Sequence, residues 1–245
     1  MRPFPALLAA LLIFQPAPLP AAPAGPEAFI KDGQVVVVSG EETLTMPSYA
    51  VAVKAVANSD LNWASIPADQ GQSLGLAEGL YLFTAEGAVY GLIPAGPGPS
   101  PQSVSLSPTG RILIVDPGRA PNRNLSLYSY PELGSLGSLA VFQRGEEPPL
   151  LWTDKGQALF TSLDLESRSR PCDYAPCGPT SVKFFNPAEG KITTLLAGDP
   201  TCDYTVVSVA GGQLTATKLC LAAATSWRFY PEGQAGVKVT ARLPE

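Results

Sequence analysis

A short polar turn closed by glycine, followed at once by a β-forming run, comes back five times along this chain, and that recurrence limits the fold more than any other feature. It reads Lys31-Asp32-Gly33 then QVVVV, and Ala77-Glu78-Gly79 then LYLF. It returns as Pro108-Thr109-Gly110 then RILIV, Asp154-Lys155-Gly156 then QALFT, and Ala210-Gly211-Gly212 then QLTAT. The glycines are 46, 31, 46 and 56 residues apart, and a four-stranded propeller blade takes roughly 40–45 residues. Glycine and proline supply 23 and 26 of the 245 residues. So many prolines leave little room for long helices and suit short strands joined by tight turns.

A second element follows the first in the later copies. It is an aromatic strand ending in a turn with proline, an acid and glycine: SLYSYPELG (126–134), VKFFNPAEG (182–190) and WRFYPEG (227–233). In the copy at Gly79 the matching strand is AVYGLI, followed by a Pro/Gly loop over 94–101. Each copy reads as a hairpin, a strand and a turn, which is an antiparallel meander. LSPTGRILIVD, LWTDKGQALFTS and SVKFFNPAEGKITTLLAG together resemble the repeat of the TolB-type periplasmic propellers, over about 103–233. That resemblance implies a β-propeller in an exported protein. TolB carries a separate α/β domain ahead of its propeller, and five repeats leave no room for one here, so its Pal-binding role is not carried over. The expected fold is all-β, a small propeller of five blades. An incomplete propeller and a two-sheet β-sandwich are the alternatives.

The first 24 residues predict a signal peptide. Arg2 gives a positive start, Ala6 to Phe14 are apolar, Pro16, Pro18 and Pro20 end any helix, and Ala22-Pro23-Ala24 is an A-x-A cleavage site. The apolar run is too short to span a bilayer, which takes roughly 20 residues. No cysteine follows it to take a lipid anchor. Residues 25–245 are then expected to form one domain, periplasmic or secreted, with no membrane span.

Net charge is −5 and no run of Lys or Arg occurs. That disfavours nucleic acid and anionic lipid as partners. The chain has no histidine, which removes Ser-His-Asp catalysis, histidine metal sites and histidine proton shuttles together. Gly71-Gln72-Ser73-Leu74-Gly75 matches the G-x-S-x-G nucleophile elbow. Ser73 lacks the usual base, and its context reads as a glycine-rich turn leading into a strand.

The four cysteines are Cys172, Cys177, Cys202 and Cys220. An even count in an exported chain favours disulfides. A zinc site of four thiolates fits less well, because 202/220 lacks the short spacing of structural sites. Asp203–Val209 and Gln213–Leu219 read as a hairpin around Ala210-Gly211-Gly212. Facing residues in a hairpin have a constant index sum. A three-residue loop pairs Val209 with Gln213 and so sets Cys202 opposite Cys220, whereas a two-residue loop leaves the cysteines one step out of register. The three-residue loop is the expectation, with Cys202–Cys220 in the hairpin and Cys172–Cys177 closing a small loop in the insertion SRSRPCDYAPCGP.

Candidate acids are Asp116 at the end of RILIVD, Asp164 and Glu166 in SLDLES, and Asp173 and Asp203 beside cysteines. Two carboxyls about 5–10 Å apart would suit glycoside chemistry, but acids at strand ends are ordinarily turn formers. Trp152 and Trp227 fall at repeat positions and read as packing between blades. Trp63 falls outside the repeat and is the expected exposed, binding aromatic. Asn124-Leu125-Ser126 is a formal glycosylation sequon. No D-x-D-x-D-G run for calcium and no C-x-x-C-H for haem occurs, so no metal or cofactor is expected. Two functions follow: a non-catalytic binding or scaffold propeller that presents loops to a protein, peptide or glycan, and a carboxylate-dependent glycan-active enzyme.

Overall fold

The computed structural model describes residues 26–95, 100–118, 122–142, 149–163, 179–199, 202–220 and 236–244. The expected signal peptide, Asp164, Glu166, Cys172, Asp173, Cys177 and Trp227 lie outside those residues.

The described chain is all-β and propeller-like, five antiparallel sheets with strands in sequence order. The first sheet is β1 (Glu27–Lys31), β2 (Gln34–Ser39) and β3 (Glu42–Thr45). The second is β4 (Lys54–Ala55), β5 (Asn62–Ile66), β6 (Gly79–Phe83) and β7 (Val89–Pro94). The third is β8 (Ser103–Leu106), β9 (Ile112–Asp116), β10 (Asn122–Ser129) and β11 (Ser135–Phe142). The fourth is β12 (Leu151–Trp152), β13 (Ala158–Leu163), β14 (Thr180–Asn186) and β15 (Lys191–Leu196). The fifth is β16 (Cys202–Ala210), β17 (Gln213–Cys220) and β18 (Val237–Arg242). One helix, α1 (Ala68–Leu74), interrupts the second sheet.

Each sheet packs face to face on the next, through its own core. Val35 and Val37 meet Ala64, Ile66, Tyr81 and Phe83 between the first two sheets. Trp63, Leu80 and Leu82 meet Val104, Leu106 and Leu113 between the second and third. Ile112, Leu125 and Leu127 meet Ala158 and Phe160 next, and Leu159, Val182 and Phe184 meet Val206, Leu214 and Ala216 last. Alternate residues of one strand therefore serve two cores: Leu80 and Leu82 point one way, Tyr81 and Phe83 the other. That explains why GLYLF and ALFTSL are buried throughout. A strand covered on both faces reads as a continuous apolar run rather than an alternation.

Four of the five recurrent glycines follow the first strand of their sheet: Gly33, Gly110, Gly156 and Gly212. The expectation fails at Gly79, which opens the third strand of the second sheet. There the turn after the first strand holds Asn58, at φ 62°. Asparagine tolerates that left-handed backbone nearly as glycine does, so no glycine marks the turn. AVYGLI accordingly supplies the fourth strand, not the third. In the third and fourth sheets the aromatic segments do form the third strand and the turn beyond it, as β10 and β14.

Candidate functional site

Ser73 sits in the last turn of α1, not in a turn before a strand. The sequence reading missed this helix because only seven residues form it. A strand does precede the helix, but the nucleophile elbow requires serine on the sharp turn between them. Ser73 is exposed, and its hydroxyl donates to the Gln70 carbonyl at 2.9 Å. No elbow is built.

Asp116 ends β9 and faces Arg123 at the start of β10. Arg123 Nη1 lies 3.2 Å from Asp116 Oδ2, and the side chains are only 10% and 13% exposed. Asp116 Oδ1 accepts from Gly118 N at 2.9 Å, and the Arg123 guanidinium donates to the Gly118 carbonyl. The Asp116 backbone carbonyl accepts from Gln102 N at 2.8 Å. The ion pair ties β9 to β10, and the backbone bond from Gln102 ties Asp116 to the residue before β8.

Asp203 is 2% exposed. Its Oδ1 accepts from Thr180 N at 2.8 Å. Thr180 Oγ1 in turn donates to the Tyr204 carbonyl at 2.8 Å and accepts from Tyr204 N at 3.2 Å. Thr161 Oγ1 accepts from Val206 N at 3.3 Å. These bonds attach β16 to the fourth sheet, and the buried Asp203 carboxylate takes part in that junction.

Trp63 is a correction. It is 2% exposed and packs between the second and third sheets. The Lys54 ammonium covers its ring, 5.0 Å from the centroid. LNWASIP hides a second strand whose turn lacks glycine, which is why Trp63 looked isolated. Trp152 does pack against the core between the third and fourth sheets. Asn124 is exposed on β10.

The cysteine pair forms by a route different from the expected one. Gly211 and Gly212 make a two-residue turn at φ 56° and 72°, and Ala210 pairs with Gln213. A uniform ladder from that turn would miss the cysteines by one step. A bulge at Val207 restores the register, and Cys202 faces Cys220. They form a disulfide with Cα atoms 4.0 Å apart.

One aromatic group escaped the sequence reading. Tyr90 is the extra residue of a bulge in β7. Its ring stacks on Tyr130, in the turn just after β10, centroids 5.6 Å apart, and its hydroxyl donates to the Pro131 carbonyl at 3.2 Å. Desolvation raises the Tyr90 pKa first, with Tyr130 and the Glu132 charge adding to it. The pair clamps the rims of two sheets. Its only advance signal was the recurrence of tyrosine in SLYSYPELG.

No family model and no curated protein matches the chain. Among solved structures it is similar to a chain of hydrazine synthase from Kuenenia stuttgartiensis, at 13% identity and a TM-score of 0.37, covering 93% of this chain and 65% of that one. It is also similar to an oligogalacturonate lyase in complex with manganese, at 11% identity, 77% and 58% coverage and a TM-score of 0.34. TolB from Acinetobacter baumannii is similar at 11% identity, 82% and 62% coverage and a TM-score of 0.26. The chain spans less than two thirds of each of these three. Such distant likenesses carry nothing about activity.

Proposed function

We propose that this chain is an exported, five-bladed binding or scaffold propeller, one domain over 25–245, which presents its loops to a protein, peptide or glycan. The supporting observation is the structural placement of two of the five candidate acids. Asp116 is held by Arg123 and Gly118 N, and Asp203 by Thr180 N. Both carboxylates join strands or sheets, which is a structural role that a binding propeller shares and that needs no catalytic set. Export rests on the N-terminal pattern and agrees with the Cys202–Cys220 disulfide, a bond that persists in oxidising compartments. Among the described residues no helix is long and apolar enough to cross a membrane.

The test is to screen the mature protein against glycan and peptide arrays, then incubate every bound glycan with it and assay for new reducing ends. Retention without turnover supports the reading. Release of reducing ends that stops in Asp164→Asn or Glu166→Gln would overturn it in favour of a glycan-active enzyme.

A further inference from the structure

Two registers meet inside the hairpin of the fifth sheet. Next to the turn, Val209 pairs with Leu214 and Ser208 with Thr215. Farther out, Val206 pairs with Ala216, Thr205 with Thr217 and Cys202 with Cys220. Val207 is the residue left over, 47% exposed beside a Val206 that is 8% exposed. An extra residue reverses which side chains of a strand face the core. Because of it Val209, Val206 and Tyr204 all join the core that holds Val182 and Phe184 of the fourth sheet.

The same hairpin has a second solution. If the register at the turn ran on without a bulge, Val207 would pair with Ala216, Val206 with Thr217, Thr205 with Lys218 and Tyr204 with Leu219. Val207 would then replace Val206 in the core with an identical side chain, and one more residue would join the ladder. Against this, Tyr204 would leave the core and the bonds to Thr161 and Thr180 would break. Cys202 and Cys220 would also stand one step apart on opposite faces, where no disulfide can close.

We propose that the Cys202–Cys220 disulfide is a register lock. It holds β16 in the bulged register, and breaking it releases the strand to the unbulged one, exchanging Val206 for Val207 in the core. A dithiol reductant would do this chemically. Two electrons enter the S–S bond, each sulfur takes a proton, and the dithiol closes to its own disulfide.

Thiol labelling at positions 206 and 207 tests this. Val206→Cys and Val207→Cys are made separately, in the native chain and in Cys202→Ser/Cys220→Ser, each compared with its parent lacking the added cysteine. In the native chain the thiol at 207 labels fast and that at 206 slowly. The proposal expects the order to reverse in the Ser/Ser chain. An unchanged order in a folded Ser/Ser chain overturns it, since the bonds to Thr161 and Thr180 then suffice. If both positions label fast because the sheet is lost, residue 207 is deleted from the Ser/Ser chain carrying Val206→Cys. That deletion makes the native pairing the regular one. Recovered protection at 206 supports the lock, and continued fast labelling overturns it.

Discussion

Gly87 and Ile30 join the first two sheets at their tips: Ile30 N donates to the Gly87 carbonyl at 2.8 Å, and the Ile30 carbonyl oxygen stands where a Cβ on residue 87 would go. Gly87 also sits at φ 89°, in the region that disfavours L side chains. Gly87→Ala therefore meets backbone atoms, which cannot rotate away. The expected cost is about 1–3 kcal/mol from overpacking, with roughly 1 kcal/mol more from the dihedral. Gly33→Ala isolates the dihedral, because nothing lies within 4 Å of its added Cβ. Thermal melts of the two variants check this, and an equal loss in both would remove the contact from the account.

The Asp116–Arg123 pair should act on stability. Arg123→Ala leaves a nearly buried carboxylate without its cation, and breaking such a pair costs about 3–5 kcal/mol. Asp116→Asn keeps the shape of the bond to Gly118 N and should cost less. Urea unfolding of both single variants and the double variant measures the coupling. A coupling near zero would mean that Asp116 is not committed to Arg123 and would reopen its candidacy as a chemical group.

Tyr81 makes the protein sensitive to alkali. Its hydroxyl donates to the Ala77 carbonyl at 2.9 Å, across the segment that brings the chain from α1 back to β6. Desolvation by burial raises its pKa above the ordinary 10.0. A raised pKa in the fold means that the unfolded chain releases the proton first. The stability contributed by the neutral phenol is complete below pH 10 and is lost as pH rises toward the folded value. Tyr81→Phe gives up one hydrogen bond, about 1 kcal/mol, at neutral pH. It should also flatten the decline above pH 10. Denaturant midpoints at pH 8 and pH 10.5 decide it, and parallel declines in the two proteins would contradict the assignment.

Ser73→Ala should change nothing but the bond to Gln70. An exposed helical position of this kind alters stability by within about 0.5 kcal/mol. A fluorophosphonate probe should leave Ser73 unlabelled, because the hydroxyl has no base and no elbow. Mass-spectrometric detection of the adduct at Ser73 would refute that.

The sequence carried the all-β class and most of the strands because two-sided burial writes itself as runs such as RILIV and ALFT. It also carried the Cys202–Cys220 pairing, though for a mistaken reason: the loop has two residues, and the bulge at Val207 makes up the difference. Bulges leave no local mark, since Val206 and Val207 are the same residue. The phase of the second sheet was lost at Asn58, which does the work expected of a glycine. The acids were visible as residues, but Arg123 and Thr180, which hold them, lie 7 and 23 positions away from Asp116 and Asp203. Pairing over such distances appears only once the sheets are assembled.

Trp63 provides the sharpest contrast between sequence and structure, and its spectrum tests the fold directly. It lies against Leu80, Leu82 and Val104, with Lys54 across its ring. Its fluorescence should be blue-shifted and protected from iodide in the folded protein. Trp63→Phe, compared with the native chain, isolates that contribution from Trp152 and Trp227. Trp63→Ala removes a large buried ring and should cost about 3–5 kcal/mol. Lys54→Ala takes away only the cation, worth roughly 0.5–1 kcal/mol at an exposed site. If Trp63→Ala instead left the unfolding midpoint unchanged and abolished binding of an array-identified ligand, Trp63 would be a contact residue, and the packing of the second sheet on the third would need another account.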